Sequence, residues 1–280
     1  MIIESKDNKH FKEFKKLTSV DGVRKYGKVI VSGKKLIKEI IQSAAQSCVA
    51  MIIYERYADD YAEINTIIKS FSDAGLLYIL KKHLYNELDS FNTSAPLLVI
   101  RVPEIPEWDF SLAEGCNLLV PFQDPINVGA VIRSATGFGV KKIIMLKEAA
   151  HAFHPRSIKA SAGAVLKYSN FPSPGGRALK EGGKGKTDNV QLCKGPSINE
   201  LKTICDKHKL KIITLDMAGI PINSFTFPKN FLLLPGMEGT GVPEELNKTS
   251  LSIPIAESIQ SLNAAIAVAI AIFSWKSSLL

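Results

Sequence analysis

The sequence predicts an α/β protein made of a small α/β domain followed by a second α/β domain with a parallel sheet. Three observations carry this expectation. Extended and helical patterns alternate through the first part of the chain, a proline-bearing acidic stretch without any period interrupts them, and a strand, helix, strand unit follows.

From Asn8 to Leu17 a helical pattern carries Lys9, Lys12, Lys15 and Lys16. It leads into a short apolar run, Lys28 to Val31, and a second helix over Lys35 to Ala45. A strand at Val49 to Tyr54, a helix from about Asn65 to Ala74, and strands near Leu76 to Leu80 and Pro96 to Val102 complete a domain of residues 1–102. In the next stretch, VPEIPEWDFSLAEG, Pro103 and Pro106 break regular structure, so 103–115 is expected as a linker and 116–280 as the second domain.

There Asn117 to Phe122 reads as a buried strand, Asn127 to Phe138 as a helix with Val128, Val131, Ile132 and Ala135 on one face, and Lys142 to Leu146 as the next strand. Two strands joined through a helix are expected to lie parallel. Ser169 to Pro196, rich in Gly, Pro, Ser and Lys, is expected as a flexible surface insertion. A helix near Ile198 to His208, strands at Lys211 to Leu215, Phe231 to Leu234 and Leu251 to Ile255, and a helix over Ile259 to Trp275 close the chain.

Composition narrows the function classes. With 280 residues, 46% hydrophobic and 22% charged, the chain is long and apolar enough to fold without staples and is not mainly disordered. Thirty-five Lys plus Arg against 27 Asp plus Glu give a net charge of +8, which suits a polyanionic partner and equally a merely basic enzyme. Cys48, Cys116, Cys193 and Cys205 stand far apart without zinc-ligand spacing, so reduced thiols and no metal are expected. Met1 to Lys16 is charged at Glu4, Lys6, Asp7 and Lys9, unlike a secretory leader, and a cytoplasmic location is expected. The apolar run Leu262 to Trp275 contains Asn263 and falls short of the roughly 18 residues of a membrane span, so it is expected as a buried helix with no membrane partner.

Three segments carry polar chemistry at strand ends. In DPINVGAVIRSATGFG, from Asp124 to Gly139, a helix start offers free N–H groups to an anion and Arg133 a planar fork for phosphate. The plain alternative is a strand-to-helix turn with Asn127 as cap and Arg133 solvated. In FLLLPGMEGTG, from Phe231 to Gly241, the glycines admit close backbone approach beside Glu238, or form a simple connector. In SIPIAESIQSLNAA, from Ser252 to Ala265, Ser261 and Asn263 either serve a site or cap the apolar helix.

Taken in order, Asn-x-Gly-Ala-x-x-Arg-Ser-Ala, Gly-x-Glu-Gly-x-Gly, and Ile-Pro with a later Ser-Leu-Asn resemble the SpoU (TrmH) family of the SPOUT methyltransferases, over roughly residues 117 to 275. KDNKHFKEFKKL and KVIVSGKKLIKEI resemble the L30e-like substrate-binding domain that precedes the catalytic domain in many members. The chain departs from the family pattern at Ala264 and Ala265 after Ser-Leu-Asn, at Glu257, and at Ser32 before Gly33.

The resemblance implies a trefoil-knotted methyltransferase domain, which is an exception to the rule that chains do not thread loops. It implies S-adenosylmethionine as cofactor, held at Gly236, Ile253 and Leu262 with Leu234, Met237 and Ile255 and the stretch Leu215 to Met217 alongside, and a homodimer. It implies methylation of a ribose 2′-hydroxyl in ribosomal, or else transfer, RNA, with Arg133, Asn127, Glu238, Ser261 and Asn263 around the reacting atoms. The family casts that Arg as a base, yet a guanidinium is almost always protonated, so Arg133 is expected chiefly to clamp an RNA phosphate and position the hydroxyl, with base or clamp left open by the sequence. Arg156 and Lys159, with Lys141, Lys142 and Lys147, are expected as a phosphate-contacting patch, and Lys9 and Lys12 as RNA contacts of the first domain. His151 and His154 are expected as structural or solvated groups.

Rival readings are weaker. GGKGKT at Gly182 to Thr187 ends like a phosphate-binding loop but lacks the earlier glycine and a feeding strand. A nicotinamide enzyme lacks Gly-x-Gly-x-x-Gly after the first strand of either domain. A catalytically inactive RNA-binding protein that keeps the fold is the alternative from a different class.

Overall fold

The computed structural model describes residues 1–58, 60–167, 190–237, 239, 241–256 and 258–280. The chain divides into two compact units, the first essentially Met1–Glu104 and the second most of the chain from Ile105 onward. Each is α/β.

The first unit runs β1 (Ile2–Ile3), α1 (Lys9–Lys16), α2 (Val20–Tyr26), β2 (Lys28–Ser32), α3 (Lys34–Ala44), β3 (Cys48–Tyr54), α4 (Ala62–Asp73), β4 (Leu77–Leu80), α5 (Lys82–Leu88) and β5 (Leu97–Arg101). Its sheet has the order β1-β4-β3-β5-β2, parallel from β1 through β4 to β3 and antiparallel where β5 pairs with β3 and β2. Asn8 caps α1 by accepting from the His10 N–H at 2.9 Å, and Phe11 and Phe14 take the buried face against Leu17, Ile30 and Ile52. Two helices escape the sequence pattern. Both α2 and α5 have seven residues, too short for a periodicity to stand out. In α2, Gly22 is required by packing, because a Cβ there would lie 1.8 Å from the Lys16 carbonyl oxygen.

The second unit runs β6 (Gly115–Val120), α6 (Pro125–Gly137), β7 (Lys142–Met145), α7 (Pro155–Ala160), β8 (Gln191–Lys194), α8 (Ile198–His208), β9 (Ile212–Pro221), β10 (Asn230–Leu234), β11 (Ser250–Ser252) and α9 (Ala264–Ser277). Every strand pairing in its sheet, of order β11-β9-β10-β6-β7-β8, is parallel. The buried runs of β6, β7 and β10 follow from that, since a parallel sheet is covered on both faces. Parallel strands also deliver all their C-terminal ends to one edge.

Three expectations are corrected here. The segment expected as a flexible insertion ends in β8, whose Leu192 and Cys193 are buried and which pairs along β7; its Gly, Lys and Pro composition hides the short strand, while its part over 169–189, with GGKGKT, lies outside the described residues. The last helix begins at Ala264, not Ile259, because Asn263 caps it. Asn127 is not the cap of α6; Asp124 is, accepting from the Ile126 N–H at 2.9 Å ahead of Pro125 in the first turn.

Within the stretch expected as a linker, Ile105 and Trp108 are buried. The Trp108 N–H donates to the Lys194 carbonyl at 2.8 Å and the Lys194 N–H to the Pro106 carbonyl at 2.7 Å, which fastens this stretch along β8. Among the described residues no helix is long and apolar enough to cross a membrane.

Candidate active site

Three strand ends and the middle of a fourth strand surround one hollow. After β6 the chain turns into α6 at Asp124; within β9, beyond its pairing with β10, come Leu215 to Met217; β10 leads into Pro235, Gly236 and Met237; and β11 leads into Ile253 to Ile255. Together with Ser261, Leu262 and Asn263 ahead of α9, they line a cavity of about 570 Å³. That is the size range of a nucleoside-bearing small molecule.

The glycine loop after β10 closes on itself. Met237 and Gly241 exchange backbone hydrogen bonds, Met237 N–H to Gly241 O at 2.9 Å and Gly241 N–H to Met237 O at 3.1 Å. Gly239 at φ 87° and Gly241 at φ 69° occupy the left-handed region, which is why the loop needs glycine there. Gly236 is different. An added Cβ would meet Gly241 at 3.4 Å, an ordinary contact, so glycine at 236 serves access to the main chain rather than conformation.

Gly129 also has a packing role. It lies inside α6, where a Cβ would stand 2.4 Å from the Ser157 carbonyl oxygen and 2.7 Å from the Ala160 Cβ. The glycine lets α7 and the residues after it pack directly on α6.

Of the residues singled out for a cofactor, Gly236, Met237, Ile253, Ile255, Leu262 and Leu215 line the cavity. Leu234 does not; its side chain is fully buried in the core. Among those singled out for chemistry, Asn127, Ser261 and Asn263 line it. Asn263 performs two tasks at once: its Oδ1 accepts from the Ala265 and Ile266 N–H groups at 2.9 and 3.3 Å, and its Nδ2 donates to Asn127 Oδ1 at 3.2 Å. The capping and site readings of this residue are therefore both true of its geometry.

Arg133 is exposed on α6, outside the cavity lining. It follows Asn127 by six residues, roughly 9 Å along the helix axis and about 120° around it. Glu238 lies outside the described residues. Asp216, held by Asn247, lines the cavity within the expected stretch Leu215 to Met217, but the sequence motifs gave its carboxylate no role of its own.

The basic patch needs correction. Lys142 is buried at the start of β7, its Nζ donating to the Ser111 carbonyl and Oγ at 2.9 and 2.8 Å with Asp109 at 3.5 Å, so it cannot reach a phosphate. Lys141 stands at that same N-terminal edge of the sheet, 4.0 Å from Glu114 and away from the cavity edge. Lys147 is on the cavity edge but is paired with Glu200 at 3.0 Å. Arg156 and Lys159 are exposed on α7. In the first unit, Lys9 is exposed and Lys12 pairs with Asp7 at 2.9 Å.

All four cysteines are free thiols, and burial pushes Cys48 and Cys205 up to about 11 and raises Cys116 and Cys193 as well, which disfavours the thiolate. No group of three or more metal-ligating side chains is found among the described residues.

Comparison with known proteins meets this geometry. The model of the SpoU rRNA Methylase family matches residues 117–174 and 170–273. The chain is 37% identical over 280 residues to the "Ribosomal RNA small subunit methyltransferase G 2" of Syntrophobacter fumaroxidans, covering 99% of this chain but 49% of that protein, so it spans about half the length of this relative. It is 27% identical over 277 residues to the Bacillus subtilis 23S rRNA (guanosine(2553)-2′-O)-methyltransferase RlmP, with 97% of each chain covered. Among solved structures, an AdoMet-bound rRNA methyltransferase from Sinorhizobium meliloti superposes with a TM-score of 0.72 at 18% identity, covering 100% of this chain and 98% of that one. The SpoU methyltransferase AviRb from Streptomyces viridochromogenes, also with AdoMet, does so with 0.68 at 20% identity, covering 97% and 99%. These structures establish the fold.

Proposed function

The chain belongs to the SpoU rRNA methylase family, and from that premise we propose that it transfers a methyl group from S-adenosylmethionine to a ribose 2′-hydroxyl of ribosomal RNA. The observation that carries this reading is the convergence of all three motif segments on one cavity at the C-terminal edge of a parallel sheet. Ligands of open α/β sheets bind at that edge.

The lining fits the cofactor by its chemistry. Ile253, Ile255, Leu262 and Met237 offer apolar cover to an adenine, Gly236 opens the main chain, and Asn127, Ser261, Asn263 and Asp216 supply polar groups for the remainder. When bound there, S-adenosylmethionine supplies an activated methyl for in-line displacement. The protein's part is alignment of the acceptor oxygen and reception of its proton. Asn263, pinned by its cap and by Asn127, gives a rigid amide beside Ser261 on the side of α6. Arg133 clamps an RNA phosphate and so positions the hydroxyl.

The first unit serves as the L30e-like RNA-binding domain, using Lys9 and Lys12, while Arg156 and Lys159 contact RNA near the site and Lys141 lies too far round the sheet to join them. The C-terminal region is knotted in this reading. Two copies pair through α6 and α9, where Ile126, Ile266 and Phe273 are exposed around an apolar groove of about 520 Å³. The protein works in the cytoplasm, where its RNA is.

Calorimetry with S-adenosylmethionine, followed by methyl incorporation into ribosomal RNA, tests the reading. Mass mapping of ribose methylation in RNA from cells with and without the gene then identifies the nucleotide. RNA binding without any methyl incorporation would replace it with the inactive RNA-binding alternative.

A further inference from the structure

β9 parts from β11 between Thr214, which faces Ser250, and Ile220, which faces Leu251. The intervening bulge carries Leu215, Asp216 and Met217 into the cavity wall. Gly219 lets it close again, since a Cβ there would lie 2.6 Å from the Ser250 carbonyl carbon and 2.7 Å from the Leu251 backbone.

Asp216 is held from behind by a built network. The buried Thr214 hydroxyl donates to Asn247 Oδ1 at 2.5 Å, Asn247 Nδ2 donates to Asp216 Oδ2 at 3.1 Å, and the Ala218 N–H donates to Asp216 Oδ1 at 2.9 Å. Each carboxylate oxygen therefore accepts one bond inside the protein and keeps capacity for another. The other carboxylate on the described lining, Asp124, is engaged as the cap of α6.

A carboxylate fixed in this way presents a pair of acceptors, and the small-molecule feature that matches a pair is a vicinal diol with two O–H donors. The sheet order supports that match. Asp216 belongs to β9, and β10 stands between it and β6, whose following loop and helix bring Asn127 to the cavity. The methyl has to face Asn127 and the RNA, so the part of the cofactor beside Asp216 is one held rather than transferred.

Resting on the reading of this cavity as a cofactor site, we propose that Asp216 binds the ribose diol of S-adenosylmethionine, with Asn247 and Thr214 as the positioning residues that hold its carboxylate. The side chain sets affinity and selectivity for the nucleoside, not the rate of transfer.

The test is calorimetric titration of the full chain with S-adenosylmethionine and with 5′-methylthioadenosine, which keeps the ribose and lacks the amino acid. Asp216→Ala is expected to weaken both ligands by about 10- to 100-fold, and Asp216→Asn to weaken both by less. Asn247→Ala is expected to weaken both in the native background and to add nothing in the Asp216→Ala background, a coupling that a structural role would not produce. Undiminished binding of 5′-methylthioadenosine by Asp216→Ala and Asp216→Asn overturns the proposal and assigns the carboxylate to the amino-acid end or to neither. If the native chain takes neither ligand, the cofactor reading falls and this proposal with it.

Discussion

The two ends of the parallel sheet in the second unit carry similar polar residues put to opposite use. At the N-terminal end, Asn117 donates to the Ala113 and Gly115 carbonyls and accepts from the Ala113 N–H, Asn230 accepts from the Gly115 N–H, and Lys142 is spent on Ser111. These groups close on one another and on the backbone. At the C-terminal end, Asn127, Asn263 and Asp216 are held by internal hydrogen bonds and still border a cavity. The difference teaches that residue type does not make a site. What matters is the bonding capacity left over after the fold has been satisfied.

Arg133→Ala should break the comparison at its active end with the largest effect. Turnover is expected to fall about 100- to 1,000-fold, with S-adenosylmethionine affinity unchanged because Arg133 does not line the cavity. Methyl-transfer kinetics beside calorimetry check this, and an Arg133→Lys enzyme with full turnover would count against a bidentate clamp.

At the other end, Lys142→Ala should cost stability and leave cofactor binding alone. Losing both bonds to Ser111 is expected to remove about 1–3 kcal/mol, read as a lower midpoint in chemical unfolding. A cofactor affinity that dropped in step would show the two ends to be coupled.

Asn263 joins both behaviours and so sharpens the contrast. Asn263→Ala removes a helix cap and should cost about 1 kcal/mol together with weaker cofactor binding. Asn263→Ser keeps a capping oxygen and loses the amide bond to Asn127, so it is expected to restore stability without restoring affinity. Equal recovery of the two properties would refute the division of labour.

The smallest effect concerns Glu200, a polar group on the cavity edge that is purely structural. Its carboxyl is held down at about 2, first by the Ser197 N–H in the capping box and then by Lys147 and the Ser197 hydroxyl. A carboxyl lowered in the folded state stabilises above its unfolded value of about 4.3, and that stability is lost as pH falls toward 2. Melting temperatures of the native chain and of Glu200→Gln should accordingly converge as pH is lowered through this window. Parallel curves would remove the capping box from the account.

Much of this architecture was legible because long periodic segments declare themselves. The helix Ile198 to His208 starts and ends where its pattern does, with Ser197 and Glu200 as its box. Short elements did not declare themselves: α2, α5 and β8 span too few residues for a period, and β8 sits behind a Gly- and Lys-rich run. At the cavity, the three motif segments were readable as strand ends, and the structure brings them together. Which of two adjacent lysines, Lys141 or Lys142, turns inward depends on the partner that Ser111 provides from outside the strand, and no local pattern encodes that. The same holds for Asp216, whose aim is set by Asn247 from thirty-one residues away.

The fastening of Pro106 to Trp108 along β8 bears on solubility. As the outermost strand of its sheet, β8 would otherwise leave backbone donors and acceptors open to any passing extended chain. By exchanging bonds with Lys194 and burying Trp108 beside it, the opening segment of the second unit occupies part of that row and denies it to strangers. A boundary drawn after Trp108 to isolate the second unit would strip away a guard against self-association, whereas one drawn before Ile105 would keep it.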